Sequence, residues 1–136
     1  MNNNKGFTLI ELIITVAILG ILGAIATSLY DSQSKKQRRS DAVIALTTAQ
    51  SEMEQDRSDK GIYTSAGLES TESPKTYYTV SVVIANDGEN YTLTAEANSG
   101  KPQFSDTNCR KFIVTDLGQY STKKDDGSDS TNCVQM

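Results

Sequence analysis

Between Leu9 and Ala26 every position except Glu11 and Thr15 is Leu, Ile, Val, Ala or Gly. No face of this run is set aside for water. A helix that is apolar all round belongs in a bilayer or in the middle of a large protein, and a 136-residue chain is too small to enclose one on all sides. At about 1.5 Å rise per residue the run spans most of the ~30 Å hydrocarbon core. The pattern predicts a membrane-spanning helix over residues 7–30.

Beyond Tyr30 the pattern changes and the helix is predicted to continue. Asp31 to Lys60 contains no Pro or Gly, and Gly61 stands where a left-handed residue ends a helix. Ala42, Leu46, Ala49 and Met53 recur at steps of four, three and four, an apolar stripe that Val43 and Ala45 broaden. Arg38, Arg39, Asp41, Gln50, Glu52, Glu54 and Gln55 form the expected polar face. One long helix, from Phe7 to about Ser58, follows. Residues 61–74 read as a loop, rich in Ser, Thr, Gly and Glu, with Ile62, Tyr63 and Leu68 tucked against the helix.

The remainder alternates. Residues 77–84 are β-branched and aromatic, Asn86-Asp87-Gly88 is a hairpin signal that suits a type I′ turn, and residues 91–97 return as a second strand. A loop with Gly100 and Pro102 precedes a third strand at 111–115, and Asp116-Leu117-Gly118 turns the chain into a short fourth strand at 119–122. The fold class is α+β, a long N-terminal helix packed on a roughly four-stranded antiparallel sheet with one face on the helix stripe and the other in water.

Charge and composition narrow the function. Past Tyr30 there are 12 Lys+Arg (13 less Lys5) and 16 Asp+Glu (17 less Glu11), so the head carries about four net negative charges. That argues against nonspecific nucleic-acid binding over its whole surface, which needs a basic footprint, but leaves room for a local patch. The chain has no His, no Gly-rich phosphate loop and no motif Ser, so no nucleophile-plus-base constellation is present and no enzyme is expected. Lys35-Lys36-Gln37-Arg38-Arg39 offers a nucleic-acid or lipid-headgroup site. The favoured reading is a solvated turn that contacts acidic groups of neighbouring subunits.

Lys5-Gly6-Phe7-Thr8-Leu9-Ile10-Glu11, ahead of the apolar run through Ala26, resembles the processing motif of type IV pilins and the related type II secretion pseudopilins. The resemblance is dense over the first thirty residues and only architectural thereafter. It implies the pilin fold, with a leader at 1–6, a transmembrane and filament-core helix at 7–30 and a globular head at 31–136. It further implies cleavage between Gly6 and Phe7 by prepilin peptidase, N-methylation of Phe7, and pairing of Glu11 with the Phe7 amine of a neighbouring subunit. The implied partners are other copies of the chain in a helical filament, other pilins and the inner-membrane assembly machinery. The residues agree physically: Glu11 in hydrocarbon costs roughly 2.5 kcal/mol or more and calls for a cation. One position departs, since many relatives carry proline where this chain has Ser28. Gly20 and Gly23 nevertheless leave room for a bent or melted segment over 20–28 in a filament.

Location follows from the same resemblance. Lys35, Lys36, Arg38 and Arg39 outweigh Lys5, so counting charge alone would place the head in the cytoplasm. The processing motif and the cysteine pair place it outside: inner membrane before assembly, extracellular pilus after. In an exported head the two cysteines, Cys109 and Cys133, are expected to form a disulfide that closes a polar loop over 109–133. Two Cys and no His make a poor metal site, and Asp125, Asp126 and Asp129 lack the bidentate Glu of an EF-hand loop. No metal or cofactor is expected. Asn90-Tyr91-Thr92 matches a glycosylation sequon but sits within a predicted strand. The expected function is a structural pilus subunit serving adhesion, twitching motility or DNA uptake. The alternatives are a minor pilin that binds DNA or a surface ligand, with Lys123-Lys124 and residues 35–39 as support, and a secretion pseudopilin.

Overall fold

The computed structural model describes residues 7–133, with the side chain of Ser28 left aside. The predicted leader 1–6, and with it Gly6, lies outside the described residues. Helix α1 runs unbroken from Leu9 to Lys60, through Gly20, Gly23 and position 28. It ends as the sequence predicts, with Gly61 at φ +80° donating its N–H to the Arg57 carbonyl at 2.7 Å. Two compact units divide the chain, residues 1–34 and residues 35–136.

In the first unit the large apolar side chains from Leu9 to Leu29 are between 51% and 76% exposed, and this half of α1 is long and apolar enough to cross a membrane. The second unit is the head. Its sheet contains β1 (Tyr78–Ala85), β2 (Asn90–Ala97), β3 (Lys111–Thr115) and β4 (Tyr120–Lys123) in that spatial order, every pair antiparallel. Simple up-and-down connections give this order. Register lines up Val80, Ala95 and Phe112 across three strands, and Val82, Leu93, Val114 and Tyr120 across four. Ala42, Leu46, Ala49 and Met53 of α1 are fully buried against this face, so the stripe read from the sequence is the helix side of the core. Tyr78 and Phe112 meet edge to face at 5.6 Å, as do Tyr63 and Tyr91 at 4.6 Å.

The β1–β2 connection has left-handed backbone at Asp87 (φ 55°, ψ 32°) and Gly88 (φ 94°), closed by a bond from Glu89 N–H to the Asn86 carbonyl at 3.1 Å. These are the values of a primed turn. Gly88 is required twice over, because a Cβ there would lie 2.9 Å from the Tyr63 carbonyl oxygen.

Two helix carboxylates, Asp56 in line with the apolar stripe one turn beyond Met53 and Glu52 beside it, hold the connection that follows α1. Asp56 is buried, pairs with Lys60, and accepts the Thr64 N–H and hydroxyl at 2.8 Å each. Glu52 accepts the N–H groups of Glu69 and Ser70 at 3.0 Å each and the Ser70 hydroxyl. Asp56 is held below the usual carboxylate range by the Lys60 ammonium and the Thr64 donors, against its own desolvation. Burial of Glu52 acts to raise it, but the Ser70 and Glu69 donors outweigh that and the net shift is downward. Groups with lowered folded values stabilise the native state above their ordinary pKa, and that stability is lost as pH falls through the folded values. We expect the thermal midpoint to drop more between pH 5 and pH 2 in the native chain than in a Glu52→Gln/Asp56→Asn variant, read by circular dichroism. Equal drops would remove these carboxylates from the acid response.

Candidate functional sites on the assembly helix and the disulfide face

The first site is the start of α1. Thr8 caps the helix reciprocally with Glu11: the Thr8 N–H and hydroxyl donate to Glu11 Oε2 at 2.9 and 2.7 Å, and the Glu11 N–H approaches the Thr8 hydroxyl at 3.4 Å. This is a capping box, Thr-x-x-Glu, which the sequence reading missed although the spacing carries the signal. It puts the carboxylate at the helix N-terminus, where the peptide dipoles favour negative charge. Phe7 and Glu11 are both exposed, with Phe7 77% exposed. One turn on, the Thr15 hydroxyl donates to the carbonyls of Glu11 and Leu12, so the second polar residue of the apolar run is satisfied by its own helix.

The second site is the face around the disulfide. Cys109 and Cys133 are bonded, with Cα atoms 5.7 Å apart, and no free cysteine remains. Arg39 of α1 reaches across and grips Asp106 with both prongs of its guanidinium, at 2.7 and 3.1 Å. Gln103, fully buried, donates to the same Asp106 at 2.9 Å. Asp41 is also buried and accepts the Lys75 N–H at 3.2 Å. The polar face read from the sequence is therefore corrected at Arg39 and Asp41. The segments around 75 and 103–106 cover this part of the helix, so these charges find partners inside rather than water. Tyr78 lies in the same region, and burial pushes its phenol well above its ordinary value.

The loop closed by the disulfide is held by more than the bond. Arg110, 4% exposed, stacks its guanidinium 3.5 Å above the Phe104 ring and donates to Asp125 at 2.9 Å. Asp125 N–H also donates to the Thr107 carbonyl at 2.9 Å, Ser130 N–H to the Thr122 carbonyl at 2.9 Å, and Lys123 pairs with Asp129 at 3.0 Å. A short bridge between Lys123 and Asp129 extends the sheet edge. Two of the three aspartates that invited a calcium reading are thus engaged with cations of the chain itself, and among the described residues no group of three or more candidate ligands gathers. The sequon residue Asn90 donates its side-chain amide to Asp116 at 2.9 Å.

The basic segments picked out in the sequence are brought near each other here. Arg39 and Lys124 border one hollow of about 300 Å³ with Asn108 and residues 129–132, while Lys36 and Arg39 border a second of about 530 Å³. Arg38 points elsewhere, over the Tyr77 ring at 5.8 Å.

Comparison with known proteins gives concordant results. A family model described as the prokaryotic N-terminal methylation motif matches residues 1–27, and one described as type IV minor pilin ComP, DNA uptake sequence receptor, matches residues 28–113. The chain is 34% identical to the type IV major pilin protein PilE of Neisseria gonorrhoeae, over 96% of its own length and 74% of the relative's. It is 37% identical to the fimbrial protein EcpC of Eikenella corrodens over 70% of its own length, spanning 63% of that protein. A solved type IV pilin from Shewanella oneidensis superposes with a TM-score of 0.51 at 22% identity, covering 75% of this chain and 99% of that one, a likeness of fold.

The disulfide closes a loop with a sequence separation of 24, for which chain entropy alone gives about 3 to 4 kcal/mol. A Cys109→Ser/Cys133→Ser variant is expected to lose that much in equilibrium urea unfolding followed by tyrosine fluorescence. A loss below about 1 kcal/mol would mean that the Arg110–Asp125 and Lys123–Asp129 ion pairs hold the loop without the bond.

Proposed function

The chain belongs to the type IV pilin family, and from that premise we propose that it is stored in the membrane and polymerised through α1 into a surface filament. The observation that carries this is the wholly exposed apolar half of α1, attached to a head that has its own complete core. Prepilin peptidase would cut between Gly6 and Phe7, leaving an α-amino group with an ordinary pKa near 8, positively charged and N-methylated, at the end of the helix. Packing many such helices together replaces lipid contacts with helix contacts. It also buries Glu11, which then needs a cation, and the Phe7 amine of the adjoining copy is the cation that the same cleavage creates. The head lies outside the cytoplasm, consistent with its disulfide.

The intact mass of the chain in sheared surface filaments, with and without reductant, tests this reading. The expected species begins at methylated Phe7 and gains two hydrogens on reduction. Glu11→Val is expected to leave processing intact and to reduce filament yield severely; native amounts of filament from that variant would sink the charge-pairing role of Glu11.

A second reading is favoured by the family model over residues 28–113, whose description names a DNA receptor. In it the chain is a minor pilin that captures DNA, with Lys36 and Lys124 beside the disulfide as phosphate contacts. Because each phosphate contact contributes roughly 0.9 to the slope of log affinity against log salt, a Lys36→Gln/Lys124→Gln variant should lower that slope by about 2. The measurement is duplex binding to the full chain in detergent micelles, by fluorescence anisotropy across a salt series. An unchanged slope would remove these two lysines from any DNA surface.

A further inference from the structure

The two ends of the head carry matching features. At one end Lys36, Arg39, Val43 and Ile44 of α1, together with Asn132 and Cys133, border the open hollow of about 530 Å³. Ile44 is 53% exposed there, although its neighbours at 42, 45 and 46 are core residues. Arg39 is committed to Asp106, and among the described residues Lys36 makes no ion pair. Val43 and Ile44, beside Ser40, make the helix wall of the hollow mostly apolar, and Lys36 and Arg39 make its border cationic.

At the other end α1 stops, the β1–β2 tip turns, and β3 passes into β4. These three pieces are tied together by the Tyr63 N–H donating to the Gly88 carbonyl and the Asp116 N–H donating to the Tyr91 carbonyl. Leu117 stands in the β3–β4 turn at 77% exposure, more than any other large apolar side chain of the head. Asp116 precedes it, and Asp87 and Glu89 are exposed on the adjoining tip. From Arg39 to Lys60 the helix rises about 30 Å, so the two features lie at opposite poles of the unit.

A single exposed leucine is ordinary. An exposed leucine beside acidic groups, on a chain whose opposite pole has an apolar hollow beside a lysine with no ion pair, is a complementary pair. We propose that Leu117 of one copy seats in the hollow bordered by Val43 and Ile44 of a second copy, with Asp116 and the acidic tip facing the second copy's Lys36. The occupant is another copy of this chain because knob and hollow are on the same polypeptide with opposite charge. Such a contact is heterologous: it leaves one knob and one hollow unused on every pair, and in a helical filament it repeats along the fibre. It therefore rests on the filament reading and adds to it, supplying a link between heads in addition to the packing of the apolar helices.

The test is disulfide trapping in filaments assembled by cells from the full-length chain. Leu117→Cys and Ile44→Cys replace exposed side chains, and retention of the native Cys109–Cys133 bond is checked by mass. The doubly substituted chain is expected to give a ladder of dimers, trimers and higher multimers on oxidation, reversed by reductant. Each single variant should give none, and coassembly of the two singles should give dimers only. Filaments present in native amounts without a ladder would overturn the contact and leave the filament reading standing. Dimers from Leu117→Cys alone would also overturn it, since they signify a symmetric contact. Absence of the native chain from filaments would overturn both.

Discussion

A helix whose first twenty residues expose every large side chain, all of them apolar but Glu11, has no stable place in water, and the rest of this molecule is arranged around that constraint. Burial of such a surface is the dominant favourable term available to it, whether lipid or neighbouring helices do the covering. The head has to have a core of its own. It builds a separate one from the far half of the same helix, where the apolar residues shrink to a stripe at 42, 46, 49 and 53 and the opposite side turns polar. One continuous helix therefore serves two solvents, and the change from all-round apolar to one-sided apolar marks where the second compact unit begins.

Within the head, buried or half-buried carboxylates do much of the local organising. Asp56 and Glu52 fix the backbone that leaves α1, Asp41 takes an N–H ahead of β1, and Asp106 gathers Arg39 and Gln103 beside the disulfide. Each accepts donors that would otherwise be left unsatisfied in short connections with few apolar residues, and the penalty for an unmet buried donor is larger than the gain from an average hydrogen bond. The net negative charge of the head is thus not merely a solvated coat. Part of it is structural, spent on loops that the hydrophobic core does not reach.

This explains which features could be read from the chain and which could not. The helix, its stop at Gly61, the four strands within a residue or two, the Asp87-Gly88 turn and the cysteine pair all depend on local pattern, and local pattern was sufficient. The reciprocal Thr8–Glu11 cap is equally local, but in the sequence Glu11 draws attention as a charge in a membrane and its capping role is masked by that. Arg39 and Asp41 were placed on the solvated face because helical spacing is silent about what a distant segment will cover. Arg39 meets Asp106 across 67 positions and Arg110 meets Asp125 on a loop of polar residues. Nothing in spacing or propensity selects those partners. They follow from the sheet register and the disulfide, which bring the segments around 103–110 and 123–133 together against the helix.

The cap at Glu11 also bears on how assembly can proceed. Both Thr8 donors go to Oε2, and among the described residues Oε1 accepts no hydrogen bond. A carboxylate whose two oxygens were both committed to its own helix would have to surrender a cap before meeting a second charge, at a cost of roughly 0.5 to 2 kcal/mol. Here the helix start stays satisfied while one oxygen remains open. Under the proposed filament reading, the same residue would close its own helix in the membrane and accept an amine from a neighbour without exchanging one for the other. Capping also holds the carboxylate at the rim of the helix end instead of along its flank, which shortens its reach to a chain terminus and limits the lateral positions at which a neighbour can satisfy it. An ion pair confined in that way would contribute position more than affinity, because desolvation offsets much of its attraction, and the affinity would come from van der Waals packing along the apolar helix.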